Sequence, residues 1–97
     1  MVKYHLTNLA IVDLSSIWEY TFDTWSEKQA DKYYNMLLLS CNEIAKKPKI
    51  GKQYGIVSKG ILGLKSEEHI IFYSIITKNE IEVIRILHGM MDLKNKI

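Results

Sequence analysis

Ninety-seven residues, 47% hydrophobic and 25% charged, suit one small globular domain over residues 1–97 and are too apolar for a disordered tail. No run reaches the roughly 18 apolar residues of a membrane helix, and the opening MVKYHLTNL lacks a signal-peptide core, so a cytoplasmic chain with no membrane partner is expected. The net charge of +2 is unevenly spread: residues 1–43 carry three lysines against six acids, residues 44–66 six lysines and no acid, and residues 67–97 four basic against five acidic groups. Such a basic middle suits nucleic acid, an acidic protein or plain solvent. A core this small gains useful stability from a partner.

Met1 to Leu6 alternates Val2, Tyr4 and Leu6 with Lys3 and His5, the period of a strand with one covered face. Thr7 and Asn8 offer helix caps. Ala10, Leu14, Ile17, Trp18, Thr21 and Phe22 then recur at spacings of three and four, with Asp13, Ser16, Glu19 and Asp23 on the opposite side. Ser26 and Gln29 form a capping box for a second helix, with Trp25 and Ala30 placed for a hydrophobic staple. Its apolar stripe runs Ala30, Tyr33, Tyr34, Leu37, Leu38, Cys41, Ile44 and Ala45, and Pro48 ends it by forcing Lys47 out of helical geometry. Cys41, the single cysteine, reads as a buried structural thiol, and the aromatic positions read as core, with no cofactor box among them. The two stripes predict an αα-hairpin covering a sheet.

Pro48 to Gly60, with glycines at 51, 55 and 60, reads as a long loop, either functional or mobile. Ile61 to Lys65 is a short strand in which Gly63 marks a bulge. The organising stretch follows. His69 to Thr77 is a nearly unbroken apolar run, Lys78-Asn79 a two-residue turn in which Asn79 takes the left-handed backbone, and Ile81 to His88 resumes the run as the other half of a hairpin. Apolar residues at both parities of the first half predict a central strand covered on both faces. In the second half Ile81, Val83, Arg85 and Leu87 point one way and Glu82, Ile84, Ile86 and His88 the other. Arg85, the only arginine, either reaches solvent, pairs with a carboxylate such as Glu80 or Glu82, or binds an anion or a partner on an open sheet face. Gly89 closes the sheet, and Met90 to Ile97 is a tail helical for two turns at most. The fold class is α+β: an N-terminal strand, an αα-hairpin and a three-stranded antiparallel meander, with the helices on one sheet face.

Phosphate-loop, CxxC, HExxH and GxSxG signatures are absent, and no metal or cofactor is expected. His5, His69 and His88 read as half-buried strand histidines. Acid–base chemistry on RNA would draw on His88, Arg85, His69 and Glu68, but strand parity places Arg85 and His88 on opposite faces.

The closing strands HIIFY (residues 69–73) and IEVIRILHGMMDL (81–93), the opening YHLTNLAIVDLSSIWEYT, the helix start WSEKQADKYYNML and the helix end IAKKPKIG together resemble the ParE-type toxins of the RelE/ParE superfamily, over essentially the whole chain. The resemblance implies a toxin of a type II toxin–antitoxin pair. Such a toxin would bind a cognate ParD-like antitoxin, as a hetero-oligomer, and inhibit DNA gyrase by binding, without sequence-specific DNA contacts of its own. It places target binding at Arg85, His88, Met90, Met91 and Asp92, with Lys49 and Lys52 in the basic loop. The alternative is a RelE-like ribosome-dependent mRNA endoribonuclease in which Arg85 and His88 are catalytic. A single arginine and no dense basic cluster on the strands favour the ParE side. The chain departs from ParE-like sequences at Leu62, Ser74 and Met90, positions that are commonly arginine in the family.

Overall fold

The computed structural model describes residues 2–54 and 60–89. Strand β1 (Lys3–Leu6) leads into helices α1 (Asn8–Thr24) and α2 (Glu27–Lys46), then a 3₁₀ turn (Pro48–Ile50) and strands β2 (Lys52–Gln53), β3 (Leu62–Ser66), β4 (His69–Thr77) and β5 (Glu80–His88). The five strands form one sheet in the order β1-β5-β4-β3-β2, with β3, β4 and β5 an antiparallel meander and β1 parallel to β5. The expected α+β arrangement is present, and β4 is central in it.

Both helix starts rest on the side chains that the sequence offers. Extended Thr7 accepts from the Ala10 N–H at 3.1 Å, and extended Ser26 accepts from the Gln29 N–H at 3.1 Å, each satisfying a donor that the first helical turn leaves unpaired. Trp25 is 74% exposed, so the staple on Ala30 does not form. Leu37, Cys41, Ile44 and Ala45 of α2, with Ala10 and Leu14 of α1, pack on Ile71, Tyr73, Ile81 and Val83 of the sheet. Full burial of each large aliphatic or aromatic side chain contributes about 1.5–3 kcal/mol. Burial pushes the Cys41 thiol up to about 12, which makes it a packing group and a poor nucleophile.

On the other sheet face Ile70, Phe72 and Leu87 form a smaller cluster covered by Tyr54 and Ile61, without help from the helices. The covering stops halfway along β4: Ile75 and Ile76 are 41% and 50% exposed, so only the first half of this strand is enclosed on both sides.

Four local expectations are corrected. The segment after Pro48 is not all loop, because Lys52 and Gln53 pair with Gly63 and Leu62 as an edge strand. Gly63 marks no bulge. The β3–β4 register is continuous through it, and its missing side chain instead leaves room for the Tyr54 ring, which a Cβ at residue 63 would meet at 2.5 Å. Among the described residues the left-handed non-glycine is Glu67 (φ 55°) in the β3–β4 turn, not Asn79. An irregularity between Ile75 and Thr77 lets the β4–β5 turn close without it. Finally, β5 does not alternate strictly. Phe72 faces Arg85 while Tyr73 faces Val83, so Ile84 is an extra residue and the face assignment changes there.

Candidate functional site

The bulge lies where β5 loses its outer neighbour. Strand β1 ends at Leu6, opposite Val83, and would leave the β5 edge bare beyond that point. The start of α1 closes it. The Thr7 N–H donates to the Val83 carbonyl at 3.1 Å, the Thr7 hydroxyl donates to the Ile84 carbonyl at 2.7 Å, and the Ile86 N–H donates to Asp13 Oδ2 at 3.0 Å. The same carboxylate takes the arginine: Arg85 Nε donates to Oδ2 at 2.8 Å and Nη2 to Oδ1 at 2.9 Å, a two-point pair with side chains 18% and 12% exposed. The hydrogen bonds that Arg85 donates to Asp13 hold its proton even more firmly than usual. Arg85 therefore pairs with a residue of α1, not with Glu80 or Glu82. Glu80 instead meets His5, which is exposed rather than half-buried.

At the end of the β4–β5 ladder His69 faces His88, ring centroids 5.3 Å apart and edge to face. The Tyr33 hydroxyl on α2 accepts from the Glu68 N–H at 3.2 Å and lies 2.7 Å from His69 Nδ1. The hydroxyl has one proton and a second lone pair left for His69, so it donates to Nδ1 or accepts from it according to the tautomer of the ring. Burial, then the neighbouring His88, lowers the His69 pKa and favours the neutral ring. Both histidines line two adjoining hollows. One, about 210 Å³, has Asp13, Ser16 and Arg85 in its wall, and the other, about 420 Å³, has Tyr20, Trp25 and Glu68.

Arg85, His88, His69 and Glu68 thus line adjoining hollows, although the register keeps Arg85 opposite Phe72 and His88 opposite His69 on different faces of β5, as parity has it. The arginine is long enough to reach round the strand edge to Asp13 of α1, which brings its guanidinium into the hollow that His88 also lines. Lys49 and Lys52 are elsewhere. Lys49 sits in the 3₁₀ turn in a groove that shares no residue with the histidine hollows, and Lys52 lies on the edge strand with its ammonium 5.8 Å from the centre of the Tyr54 ring. Met90, Met91 and Asp92 fall outside the described residues. Leu62 packs at the margin of the main core, and Ser74 is half-buried opposite Glu82, so neither supplies a charge to the sheet.

Sequence reasoning misses two residues of this cluster. Spacing alone puts Asp13 on the solvent side of the first helix, yet a lone mid-strand arginine demands a carboxylate, and position 13 borders the apolar stripe of Ala10, Leu14 and Ile17. Tyr33 falls in the core stripe, but its hydroxyl carries the contact to His69, for which the spacing gives no signal. Chemically the cluster holds a neutral imidazole beside a guanidinium already balanced by a carboxylate. Among the described residues no group of three or more His, Cys, Asp or Glu is placed to hold a metal ion.

A family profile described as "ParE toxin of type II toxin-antitoxin system, parDE" matches residues 4–93. A protein named Toxin ParE1 from Mycobacterium tuberculosis is 30% identical over 95 residues, covering 98% of this chain and 97% of that protein. Another of the same name from Caulobacter vibrioides is 31% identical over 94 residues, covering 97% and 96%. Among solved structures, a chain of the chromosomal ParDE TA system from P. aeruginosa superposes with a TM-score of 0.77 at 19% identity, over 91% of this chain and 96% of that one.

Proposed function

Because the chain belongs to the ParE toxin family of type II toxin–antitoxin systems, we propose that it acts by binding and inhibiting DNA gyrase and is neutralised by a cognate ParD-like antitoxin. The observation that carries the choice of binding over catalysis is the state of Arg85. Cleavage of an RNA backbone needs cationic groups aimed at a phosphate whose charge grows in the transition state. Here the one arginine of the chain spends Nε and Nη2 on Asp13, and burial and the neighbouring His88 favour the neutral form of the adjacent His69. The site favours recognition of a protein surface over hydrolysis. Exposed apolar residues on α1, among them Leu9 at 56% and Val12 at 57%, and the part-open β4 offer area for such contacts. The antitoxin assignment rests on the family, which is defined by toxin–antitoxin pairs, and on the shared fold with a chain of the P. aeruginosa ParDE system.

The test is direct. Purified protein incubated with gyrase and supercoiled plasmid should accumulate cleaved DNA, and co-purified antitoxin should suppress it. Intact plasmid together with cleaved mRNA on programmed ribosomes would instead favour the endonuclease. His88→Ala is the informative variant, since it alters the wall of both hollows while leaving the Asp13 pair in place. It should weaken gyrase poisoning in a protein that remains folded by circular dichroism. Met90, Met91, Asp92, Lys49 and Lys52 join it as proposed contact residues, to be scanned in the same assay.

A further inference from the structure

The basic middle of the sequence has a shape that its linear order does not show. Lys46 and Lys47 at the end of α2, Lys49 in the 3₁₀ turn and Lys78 at the tip of the β4–β5 hairpin surround a groove of about 440 Å³, with Ile50 and Ile75 exposed in it. We propose that this groove is a docking site for an acidic peptide segment carrying aliphatic side chains, its carboxylates meeting the lysine rim and one Leu, Ile or Val seated against Ile50 and Ile75.

Three observations support this occupant. The first is charge. Among the described residues no acidic side chain lines the groove, and four ammonium groups from segments some thirty residues apart converge there, only Lys46 sharing its charge with a described carboxylate, Glu43 at 3.3 Å. Collecting like charges round one opening raises the local positive potential and attracts an anionic partner. The second is the apolar floor. Ile50 is 44% exposed and Ile75 is 41% exposed, side chains that gain from being covered and that offer nothing to a phosphate. A nucleic-acid strand would call for aromatic stacking platforms and arginine, and the described lining contains neither. The third is rigidity. The buried Tyr73 hydroxyl donates to the Pro48 carbonyl at 2.5 Å and accepts from the Gly51 N–H at 2.9 Å, pinning the two ends of the 3₁₀ turn to the central strand. A groove held in place before its partner arrives loses less conformational entropy on binding.

The inference does not depend on gyrase as the target, because its readout is direct binding by the full chain. The probe is a short fluorescein-labelled peptide alternating Glu and Leu. It is compared by anisotropy with a Glu/Ser peptide of equal charge and with a single-stranded oligonucleotide of equal charge. The Glu/Leu peptide should bind saturably and about tenfold or more tighter than either control. Its affinity should fall about tenfold in the Lys47→Glu/Lys49→Glu variant and likewise in Ile75→Ser, all exposed positions whose replacement should leave the circular-dichroism melt unchanged. Equal binding of the Glu/Ser peptide, tighter binding of the oligonucleotide, or indifference to either set of substitutions would each overturn the proposal.

Discussion

A single hydroxyl, that of Tyr73, ties the segment after α2 to the central strand. Its ring is fully buried in the main core, while its oxygen satisfies both the Pro48 carbonyl and the Gly51 N–H, and burial raises its pKa accordingly. Glycine at 51 is part of the same arrangement, since a Cβ there would collide with the Tyr73 ring and hydroxyl. Tyr73→Phe keeps the apolar packing and removes only the oxygen, leaving a donor and an acceptor unpaired. The cost of such a change is about 1–3 kcal/mol, and a domain of this size loses about 4–8 °C of melting temperature per kcal/mol. Thermal unfolding of Tyr73→Phe should therefore show a drop of at least several degrees. A melting temperature equal to that of the wild type would mean that the turn is held by something other than this oxygen.

Helix α1 both covers the sheet and finishes it, because its first turns supply the hydrogen-bond partners that β1 is too short to give β5. Asp13→Ala should accordingly be costly. It strips the carboxylate from Arg85 and from the Ile86 N–H together, and removing one member of a largely buried pair destabilises by about 3–5 kcal/mol. Asp13→Asn, which keeps an acceptor for Ile86, should lose less. Urea titrations of the two variants check the order, and equal midpoints would show that the strand edge does not need the charge. This arrangement also explains what the sequence could and could not disclose. The helix starts at Thr7 and Ser26, the stop at Pro48 and the apolar stripe of α2 are local signals, and the structure follows them. The bulge at Ile84 and the pairing of Arg85 are settled by a carboxylate about seventy residues earlier, which no periodicity within β5 encodes. Likewise β2, two residues long, exists only through its ladder with Gly63 and Leu62, so its own composition carries no sign of it.

At the scale of the whole molecule, the end of the sheet where α2, β4 and β5 meet couples folding to proton uptake through His69. Tyr33 presents from α2, Glu68 and His69 from β4 and its turn, and His88 from β5, with Asp13 of α1 also near enough to act on the ring. Burial and His88 lower the His69 pKa, and although Glu68 and Asp13 pull it upward, the net direction is down. The folded state then holds fewer protons than the unfolded one between the depressed value and the ordinary histidine value of about 6.5, so stability must rise with pH across that window. The contribution is fully present above about pH 6.5 and is lost as pH falls through the folded pKa. The unfolding free energy should therefore decline on acidification from about pH 7 to about pH 5, a range chosen to stay above most carboxylate titrations. In His69→Gln, which keeps a polar side chain for Tyr33 but cannot take up the proton, the slope should be clearly shallower. Parallel slopes for the two proteins in chemical denaturation across this range would remove His69 as the source of the coupling.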